Sequence, residues 1–253
     1  MTETGDPKEI PLAPSRILVV DDEPDIRANL KDILADMGYD VDTAANGDDA
    51  LALVSGKAYD VALLDLKMPG MDGLELYRRI KKIHSATIVI IVTAYTGGDT
   101  ARAAMAAGAW EIISKPLDFS QLLPLIEKAL AQPTIILVDD DADLCDNLWS
   151  ILHDRRYRVG VAHDIAQAEA LINERDFNVA LIDLKLPGGS GSDLLKTIKA
   201  RRPDARSILI TGHRFEVDGA VGAALQKGAD AVCYKPLDMD TLLSKVRDLT
   251  RSH

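Results

Sequence analysis

Four apolar runs of strand length in the first half of the chain are each followed closely by a side chain of a reactive type. These side chains are Asp21, Asp22, Asp65, Thr93 and Lys115. Three carboxylates brought together repel one another, and a hard divalent cation relieves that repulsion. Mg²⁺ characteristically takes one or two carboxylates, waters and phosphate oxygens. We therefore expect a magnesium site in which Asp65 attacks phosphorus, with Lys115 offsetting charge on the transferring oxygens and Thr93 donating a hydroxyl.

The apolar runs alternate with stretches of helical periodicity. The Ile-Leu-Val-Val run at 17–20 has no polar alternation, which is typical of a strand buried on both faces of a parallel sheet. Strand and helix alternating five times predict a doubly wound parallel sheet, (βα)5, whose ligands bind at the carboxyl ends of the strands. The predicted strands are 17–20, 41–44, 61–64, 88–92 and 110–113, and the predicted helices run from Asp22 or Glu23 to Gly38 and over 47–56, 73–83, 98–107 and 119–131.

The second half of the chain repeats the first at a shift of 118 residues. Residues 17–93 align with 135–211 without a gap, and 30 of these 77 pairs are identical. The register then slips by two residues before the Lys-Pro-Leu-Asp motifs at 115–118 and 235–238. A period of this length is that of a whole domain. We expect a leader at 1–15, a first domain at 16–131, a linker at 132–134 and a second domain at 135–253.

Composition and charge exclude several classes of protein. The net charge of 29 minus 40, or −11, disfavours a protein that neutralises nucleic-acid phosphates. No apolar run approaches the length of a membrane helix, and the N-terminus lacks the profile of a secretory signal. The two cysteines, Cys145 and Cys233, are too few for a disulfide framework. We expect a cytoplasmic protein that binds neither membrane nor nucleic acid.

In its order of motifs, the chain resembles the receiver domain of two-component response regulators, and the resemblance covers both halves. It implies an α/β protein made of two flavodoxin-like (βα)5 domains. It implies that Asp65 and Asp183 are the phosphoacceptors. It also implies metal ligands for Mg²⁺, which are Asp21, Asp22, Asp65 and the Lys67 backbone carbonyl in the first copy and Asp139, Asp140, Asp183 and the Lys185 backbone carbonyl in the second.

The resemblance also assigns the residues that contact the phosphoryl group. Thr93 and Thr211 end the fourth strand of each copy, and Lys115 and Lys235 belong to the Lys-Pro pairs, whose peptide bonds it implies to be cis. The residues two positions after the threonines differ between the copies. Tyr95 stands there in the first copy and His213 in the second, and we interpret His213 as tuning phosphoryl lifetime or as an exposed residue without a role.

One departure from the family pattern concerns activation. Receivers commonly carry Tyr or Phe three residues before the lysine, whereas this chain has Ile112 and Val232. An aromatic ring that turns inward on phosphorylation is therefore not expected in either half. The loop after the second phosphoacceptor also differs, with Gly-Ser at 189–190 in place of Met-Asp at 71–72.

By resemblance, each half takes a phosphoryl group from a histidine kinase or a histidine phosphotransfer protein, and output passes through contacts with an unknown downstream protein. Such a protein is not an enzyme beyond its own phosphorylation and dephosphorylation. The alternative is a phosphate sink or phosphorelay intermediate. Homodimer formation is left open.

Two other classes fit the residues less well. A dehalogenase-type phosphatase has a second acid two residues after its nucleophile, where Lys67 and Lys185 stand. A dinucleotide enzyme needs Gly-x-Gly-x-x-Gly after the first strand, where Asp-Asp-Glu-Pro-Asp stands. We expect no separate output domain, because the last predicted helix of the second copy ends near Arg251. The short linker, Gln132-Pro133, leads us to expect that the two halves pack in a fixed or two-state arrangement.

Overall fold

The computed structural model describes residues 14–94, 99–212 and 228–251. Its first half contains five strands and five helices in strict alternation. They are β1 (Arg16–Val20), α1 (Pro24–Asp36), β2 (Asp40–Ala44), α2 (Gly47–Gly56), β3 (Val61–Asp65), α3 (Gly73–Ile83), β4 (Ile88–Thr93), α4 (Asp99–Ala106), β5 (Glu111–Ser114) and α5 (Phe119–Leu130).

The second half repeats this order, with a two-stranded antiparallel hairpin added after its third strand. The positions that correspond to α4 lie outside the described residues. The described elements are β6 (Thr134–Val138), α6 (Ala142–His153), β7 (Arg158–Ala162), α7 (Ile165–Glu174), β8 (Val179–Asp183), β9 (Lys185–Leu186), β10 (Gly189–Ser190), α8 (Gly191–Arg201), β11 (Arg206–Thr211), β12 (Ala231–Tyr234) and α9 (Met239–Thr250).

Each half is built on a five-stranded parallel sheet, as the alternating pattern predicts. The strand orders are β2-β1-β3-β4-β5 and β7-β6-β8-β11-β12. β1 pairs with β2 on one side and with β3 on the other. Successive strands are therefore added toward one edge of the sheet before β3 and toward the opposite edge from β3 onward. Apolar side chains on both faces of each sheet pack against helices in two separate clusters per half. This is the doubly wound flavodoxin-like fold, present twice.

Short polar side chains set where several helices begin. Asn46 caps α2, Asp72 caps α3 and Asp118 caps α5, each accepting a hydrogen bond from a backbone N–H in the first turn. Pro24 opens α1, where its missing N–H costs nothing. Gly38, in the left-handed region at φ +89°, follows the end of α1, as predicted from its position.

The predicted elements of the first half are confirmed with shifts of one or two residues. α1 differs most, since it ends at Asp36, and β5 begins at Glu111, which leaves Trp110 just before it. The β9–β10 hairpin was not predicted, because a turn of four residues with Gly188 at φ +82° carries little periodicity. No helix in the described part of the chain is long and apolar enough to cross a membrane.

The two halves contact each other directly. Arg158, at the start of β7, donates a hydrogen bond of 2.7 Å to the carboxylate of Asp60, just before β3. The indole ring of Trp149 in α6 lies against Gly108, where even an added Cβ would come within 2.9 Å of the ring. The ammonium of Lys81 in α3 lies 3.4 Å from the centre of the same ring. A salt bridge, a cation–π contact and a close backbone approach therefore join the halves.

A second group of contacts extends this interface. Arg156 donates a hydrogen bond of 2.7 Å to the Trp110 carbonyl and lies over the indole ring of that residue. It adopts φ +65°, the left-handed region that Gly38 occupies at the equivalent place in the first half. The Ser85 hydroxyl accepts a hydrogen bond from the backbone of Val161 at 2.8 Å. An arginine therefore stands at a left-handed position that favours glycine, and its side chain reaches the other half.

Candidate functional site

The polar residues predicted to do chemistry gather at the carboxyl ends of the strands. In the first half, Asp21 follows β1, Asp65 ends β3 and Thr93 ends β4. Lys115 follows β5, and its backbone N–H donates to the Thr93 carbonyl at 3.0 Å. The ends of neighbouring parallel strands lie at one edge of the sheet, which places the four side chains around one depression.

Lys115 is the centre of the first site. Its ammonium nitrogen lies 2.6 Å from Oδ2 of Asp65, 2.8 Å from Oδ2 of Asp21 and 3.0 Å from Oε1 of Glu23. The other oxygen of Asp65 accepts a hydrogen bond of 3.0 Å from the backbone N–H of Lys67. Asp21 and Asp65 are buried, whereas Glu23 is exposed. A single ammonium group therefore pairs with two buried carboxylates and one at the rim.

The second site has almost the same geometry. The ammonium nitrogen of Lys235 lies 2.6 Å from Oδ2 of Asp183 and 2.8 Å from Oδ2 of Asp139. The backbone N–H of Lys185 donates to Oδ1 of Asp183 at 3.0 Å. At the position of Glu23 the second half has Asp141, whose carboxylate caps α6 instead of pairing with the lysine. The two sites therefore differ in one acidic group at the rim.

Burial and pairing shift the pKa values at both sites. Burial raises the pKa of Asp21 and that of Asp139, and the hydrogen bonds from the lysines only partly oppose this. Burial alone lowers the pKa of Lys115, but its hydrogen bonds to the carboxylates outweigh burial and leave the pKa raised. The pKa of Lys235 is raised for the same reason. In each site, therefore, the pKa of the ammonium group and that of the buried aspartate after the first strand, Asp21 or Asp139, are both raised.

Three carboxylates in each half are placed to share a cation. Their ligand atoms all lie within 4.8 Å of one another, with two buried groups and one exposed. A hard cation accepts such oxygen donors and leaves positions for water and phosphate. The donor sets fit Mg²⁺, and they are Asp21, Asp22 and Asp65 in the first half and Asp139, Asp140 and Asp183 in the second.

Comparison with known proteins agrees with this geometry. The family model for the response regulator receiver domain matches the chain twice, over residues 17–127 and 135–247. The chain belongs to the response regulator receiver family. Receiver domains of this family bind Mg²⁺ at an acidic pocket, and each receiver here has an acidic cluster of that kind.

Two relatives illustrate how the similarity is distributed. A response regulator receiver protein of Anaeromyxobacter sp. (strain Fw109-5) is 33% identical over 236 residues, which are 93% of this chain and 95% of the relative. The transcriptional regulatory protein ZraR of Salmonella typhimurium is 43% identical over 115 residues, which are 46% of this chain and 26% of ZraR. This chain therefore matches the Anaeromyxobacter protein over nearly its whole length, whereas it matches only about a quarter of ZraR.

Among solved structures, the response regulator TrrA of Thermotoga maritima, in complex with Mg²⁺ and BeF, is 39% identical. The match covers 46% of this chain and 99% of that one, with a TM-score of 0.41. The comparisons do not favour the alternative of a phosphate sink or phosphorelay intermediate.

Most predicted site residues of the two receivers lie where the strand pattern placed them. Thr93 and Thr211 are buried at the ends of β4 and β11, and both Lys-Pro bonds are cis, as expected. Ile112 and Val232 are half-buried and pack against apolar clusters. The predictions for Tyr95 and His213 lie outside the described residues.

Sequence reasoning missed the contact between Glu23 and Lys115. Glu23 was considered only as the residue before α1. Its place two positions after Asp21 was the available signal, because residues at the mouth of a strand-to-helix turn face the sheet edge. Only the path of that turn shows that its carboxylate reaches the ammonium group.

Proposed function

We propose that each receiver accepts a phosphoryl group on its strand-end aspartate, Asp65 in the first and Asp183 in the second, with Mg²⁺. The observation that carries this proposal is that each aspartate has one oxygen on a lysine ammonium and the other on a backbone N–H, beside the two remaining carboxylates of a cation site. This fixed arrangement orients the nucleophile without further movement of its side chain.

The proposed transfer uses residues of the chain as follows. A carboxylate oxygen of Asp65 attacks phosphorus, and the bond from phosphorus to the donor nitrogen or oxygen breaks, leaving an acyl phosphate. Lys115 offsets charge on the phosphoryl oxygens, and the hydroxyl of Thr93 donates to one of them. Mg²⁺ supplies further positive charge when bound, held by Asp21, Asp22, Asp65 and the backbone carbonyl of Lys67. Asp139, Asp140, Asp183, Lys185, Thr211 and Lys235 have the same roles in the second receiver.

Partners and location form part of the same proposal. The donor is a histidine kinase or a histidine phosphotransfer protein, and output is a contact with another protein. Self-catalysed transfer and slow hydrolysis are the only reactions proposed. A cytoplasmic location is supported by Cys145 and Cys233, which are buried and free.

The contacts between the receivers support a further part of the proposal. We infer that phosphorylation of one receiver biases how it packs against the other. The interface includes Gly108 and Trp110, which flank the turn between α4 and β5, and β5 leads directly to Lys115. A shift of β5 at the site is therefore transmitted to an arginine and a tryptophan of the other receiver.

Phosphorylation is tested by comparing Asp65→Asn, Asp183→Asn and the double variant with the unaltered protein. Each is incubated with Mg²⁺ and acetyl phosphate and separated on a phosphate-affinity gel. We expect two shifted species for the unaltered protein. Each single variant should give one shifted species, and the double variant should give none. Asp48→Asn, an exposed change in α2, is the matched control and should shift normally. A double variant that shifts like the unaltered protein contradicts the assignment.

The coupling between receivers is tested by small-angle X-ray scattering. Profiles are recorded with Mg²⁺ alone and after addition of beryllofluoride, for the unaltered protein and the double variant. We expect a changed profile in the unaltered protein only. Identical profiles for the unaltered protein, under conditions where beryllofluoride is shown to bind, contradict coupling but leave phosphorylation itself intact.

A further inference from the structure

A cavity of about 580 Å³ lies between the two receivers, away from both acidic sites. It is formed where strands begin, whereas the acidic sites lie where strands end. Arg16 and Asp60 come from the starts of β1 and β3, and Arg158 from the start of β7. Arg175, between α7 and β8, also lines the cavity, flanked by Glu174 and Asp176. The linker forms another wall, so the cavity belongs to both receivers.

Three arginines and one closely bound carboxylate meet in this cavity. Asp60 accepts hydrogen bonds from the side chain of Arg158 at 2.7 Å and from the backbone N–H of Arg16 at 2.9 Å. Both of its oxygens are therefore used. The guanidinium group of Arg16 lies 3.8 Å from Asp40, in a pair that is largely exposed. Asp60 is thus the carboxylate that accepts hydrogen bonds inside the cluster, from Arg158 and from the backbone of Arg16.

Arg175 is a half-buried cation that forms no ion pair with another residue in the described part of the chain. Among the described residues its only hydrogen bond is a long one, 3.5 Å, from Nη2 to the Tyr59 carbonyl, and its Nε and Nη1 have no hydrogen-bond partner. Arg158 also has an unsatisfied donor. Its side chain is 8% exposed, and its Nε has no hydrogen-bond partner among the described residues. Burying an unpaired charge is costly.

The other carboxylates at the cavity do not relieve this. Asp176 pairs with Arg202, and Glu174 lies 3.8 Å from Nδ1 of His84. No ion pair joins either of them to Arg175 in the described part of the chain. Burial lowers the pKa of Arg175 to about 10, which still leaves the group cationic at pH 7. Arg175 therefore keeps donors that no described carboxylate contacts, although Asp60 and Glu174 lie close enough to stabilise its charge.

We propose that this cavity binds a small multivalent oxyanion that carries phosphate or carboxylate groups, with Arg175 and Arg16 as its main ligands. The planar guanidinium group presents paired donors that match the oxygens of both kinds of group. A volume of this size is in the range of small-molecule sites. Because Arg16 and Arg175 belong to different receivers, the bound anion would join them. The proposal does not depend on phosphorylation of either aspartate.

Binding is tested by titration calorimetry on the full chain in metal-depleted buffer with 0.1 M NaCl. Pyrophosphate and citrate are the two probes, which separate phosphate from carboxylate recognition. We expect one site per chain for at least one probe. Arg175→Met should weaken its binding at least tenfold, whereas Arg79→Gln, an exposed arginine of α3, should leave it unchanged.

Thermal unfolding gives a second readout that does not rely on heat signals. Arg175→Met removes two buried donors that lack partners, so it should unfold at a higher temperature than the unaltered protein when no anion is present. The anion should raise the unfolding temperature of the unaltered protein but not that of the variant. Arg16→Gln, at a more exposed position, should weaken binding at least threefold without affecting folding. Absence of a saturable site for both probes up to 10 mM, or equal binding by Arg175→Met, overturns the proposal.

Discussion

Lys115 and Lys235 hold the two sites together at the scale of single residues. Each ammonium group is shared between two buried aspartates that would otherwise repel each other across the depression. The same group occupies space close to where a phosphoryl oxygen would lie in the proposed transfer. The lysines therefore combine a structural role with the proposed chemical one.

Replacing Lys115 should impair phosphorylation of the first receiver and leave the second receiver unaffected. We expect Lys115→Met to reduce phosphorylation of Asp65 by acetyl phosphate more than tenfold and to leave Asp183 unaffected, because Lys235 is intact. Stability without metal should fall by about 3 kcal/mol, since a buried pair loses its cation. The measurements are the phosphate-affinity gel and urea unfolding.

The control for that experiment is Lys31→Met, an exposed lysine of α1. Mg²⁺ should restore much of the stability lost in Lys115→Met, because it replaces the missing positive charge between the carboxylates. Normal phosphorylation of Asp65 in Lys115→Met would show that the ammonium group has no part in transfer.

At the scale of secondary structure, the first residue of α3 sets how closely this helix approaches the phosphoacceptor. A Cβ at Gly73 would clash with the backbone carbonyl oxygen of Asp65, and one at Gly191 would clash with that of Asp183. Backbone atoms cannot move aside as a flexible side chain can. The Gly at these positions is therefore required by the approach of a helix to the end of a strand.

Gly73→Ala should displace α3 from the end of β3. We expect stability to fall by about 2 kcal/mol, in the range of overpacking in a filled site, and phosphorylation of Asp65 to fall while that of Asp183 persists. Gly56→Ala is the matched control, because the space around that helical glycine is open. The control should be neutral or slightly stabilising. Equal behaviour of the two variants would contradict the argument from close approach.

At the scale of the whole molecule, the Asp60–Arg158 pair links the receivers. The second half has Asn178 at the position of Asp60, and that amide oxygen also accepts a backbone hydrogen bond, from Thr134 at 2.8 Å. The first half thus has a carboxylate, Asp60, at the position where Arg158 of the other receiver lies, whereas the second half has the neutral amide of Asn178. Charge complementarity here is specific to the interface between the two copies.

Replacing Asp60 alone should lower the free energy of unfolding more than replacing both Asp60 and Arg158. Asp60→Asn leaves Arg158 buried and unpaired, and we expect a loss of about 3 kcal/mol in the free energy of unfolding. Asp60→Asn combined with Arg158→Met should recover most of it. Urea unfolding of the single and double variants measures the coupling, and strictly additive losses would contradict an interaction between the two residues.

The same pair predicts a pH dependence. Burial alone raises the pKa of Asp60, but Arg158, the backbone N–H of Arg16 and Arg175 together outweigh burial and leave the pKa lowered. A lowered pKa means that the stabilisation is present above the unfolded value, about 4, and is lost as the pH falls through the lowered value. Asp60→Asn should lack this part of the acid sensitivity. Parallel stability curves for variant and unaltered protein below pH 4 would contradict it.

Much of the protein follows from local patterns in its sequence. Apolar runs and helical periodicity predicted the alternation of strands and helices, and a shift of 118 residues predicted the duplication. The site residues were predictable because parallel strands end at a common edge, so residues after different strands become neighbours whatever lies between them. Local periodicity and strand polarity were sufficient for these conclusions.

The contacts between the receivers were decided only by the tertiary structure. A short linker indicated that the halves are close, but it did not indicate which faces meet. Arg156, Arg158 and Arg175 look like ordinary surface residues in the sequence, and their partners lie 46, 98 and 116 residues away. Their roles depend on the relative placement of two complete domains. That placement results from many weak contacts summed over a surface, for which no short stretch of sequence carries a signal.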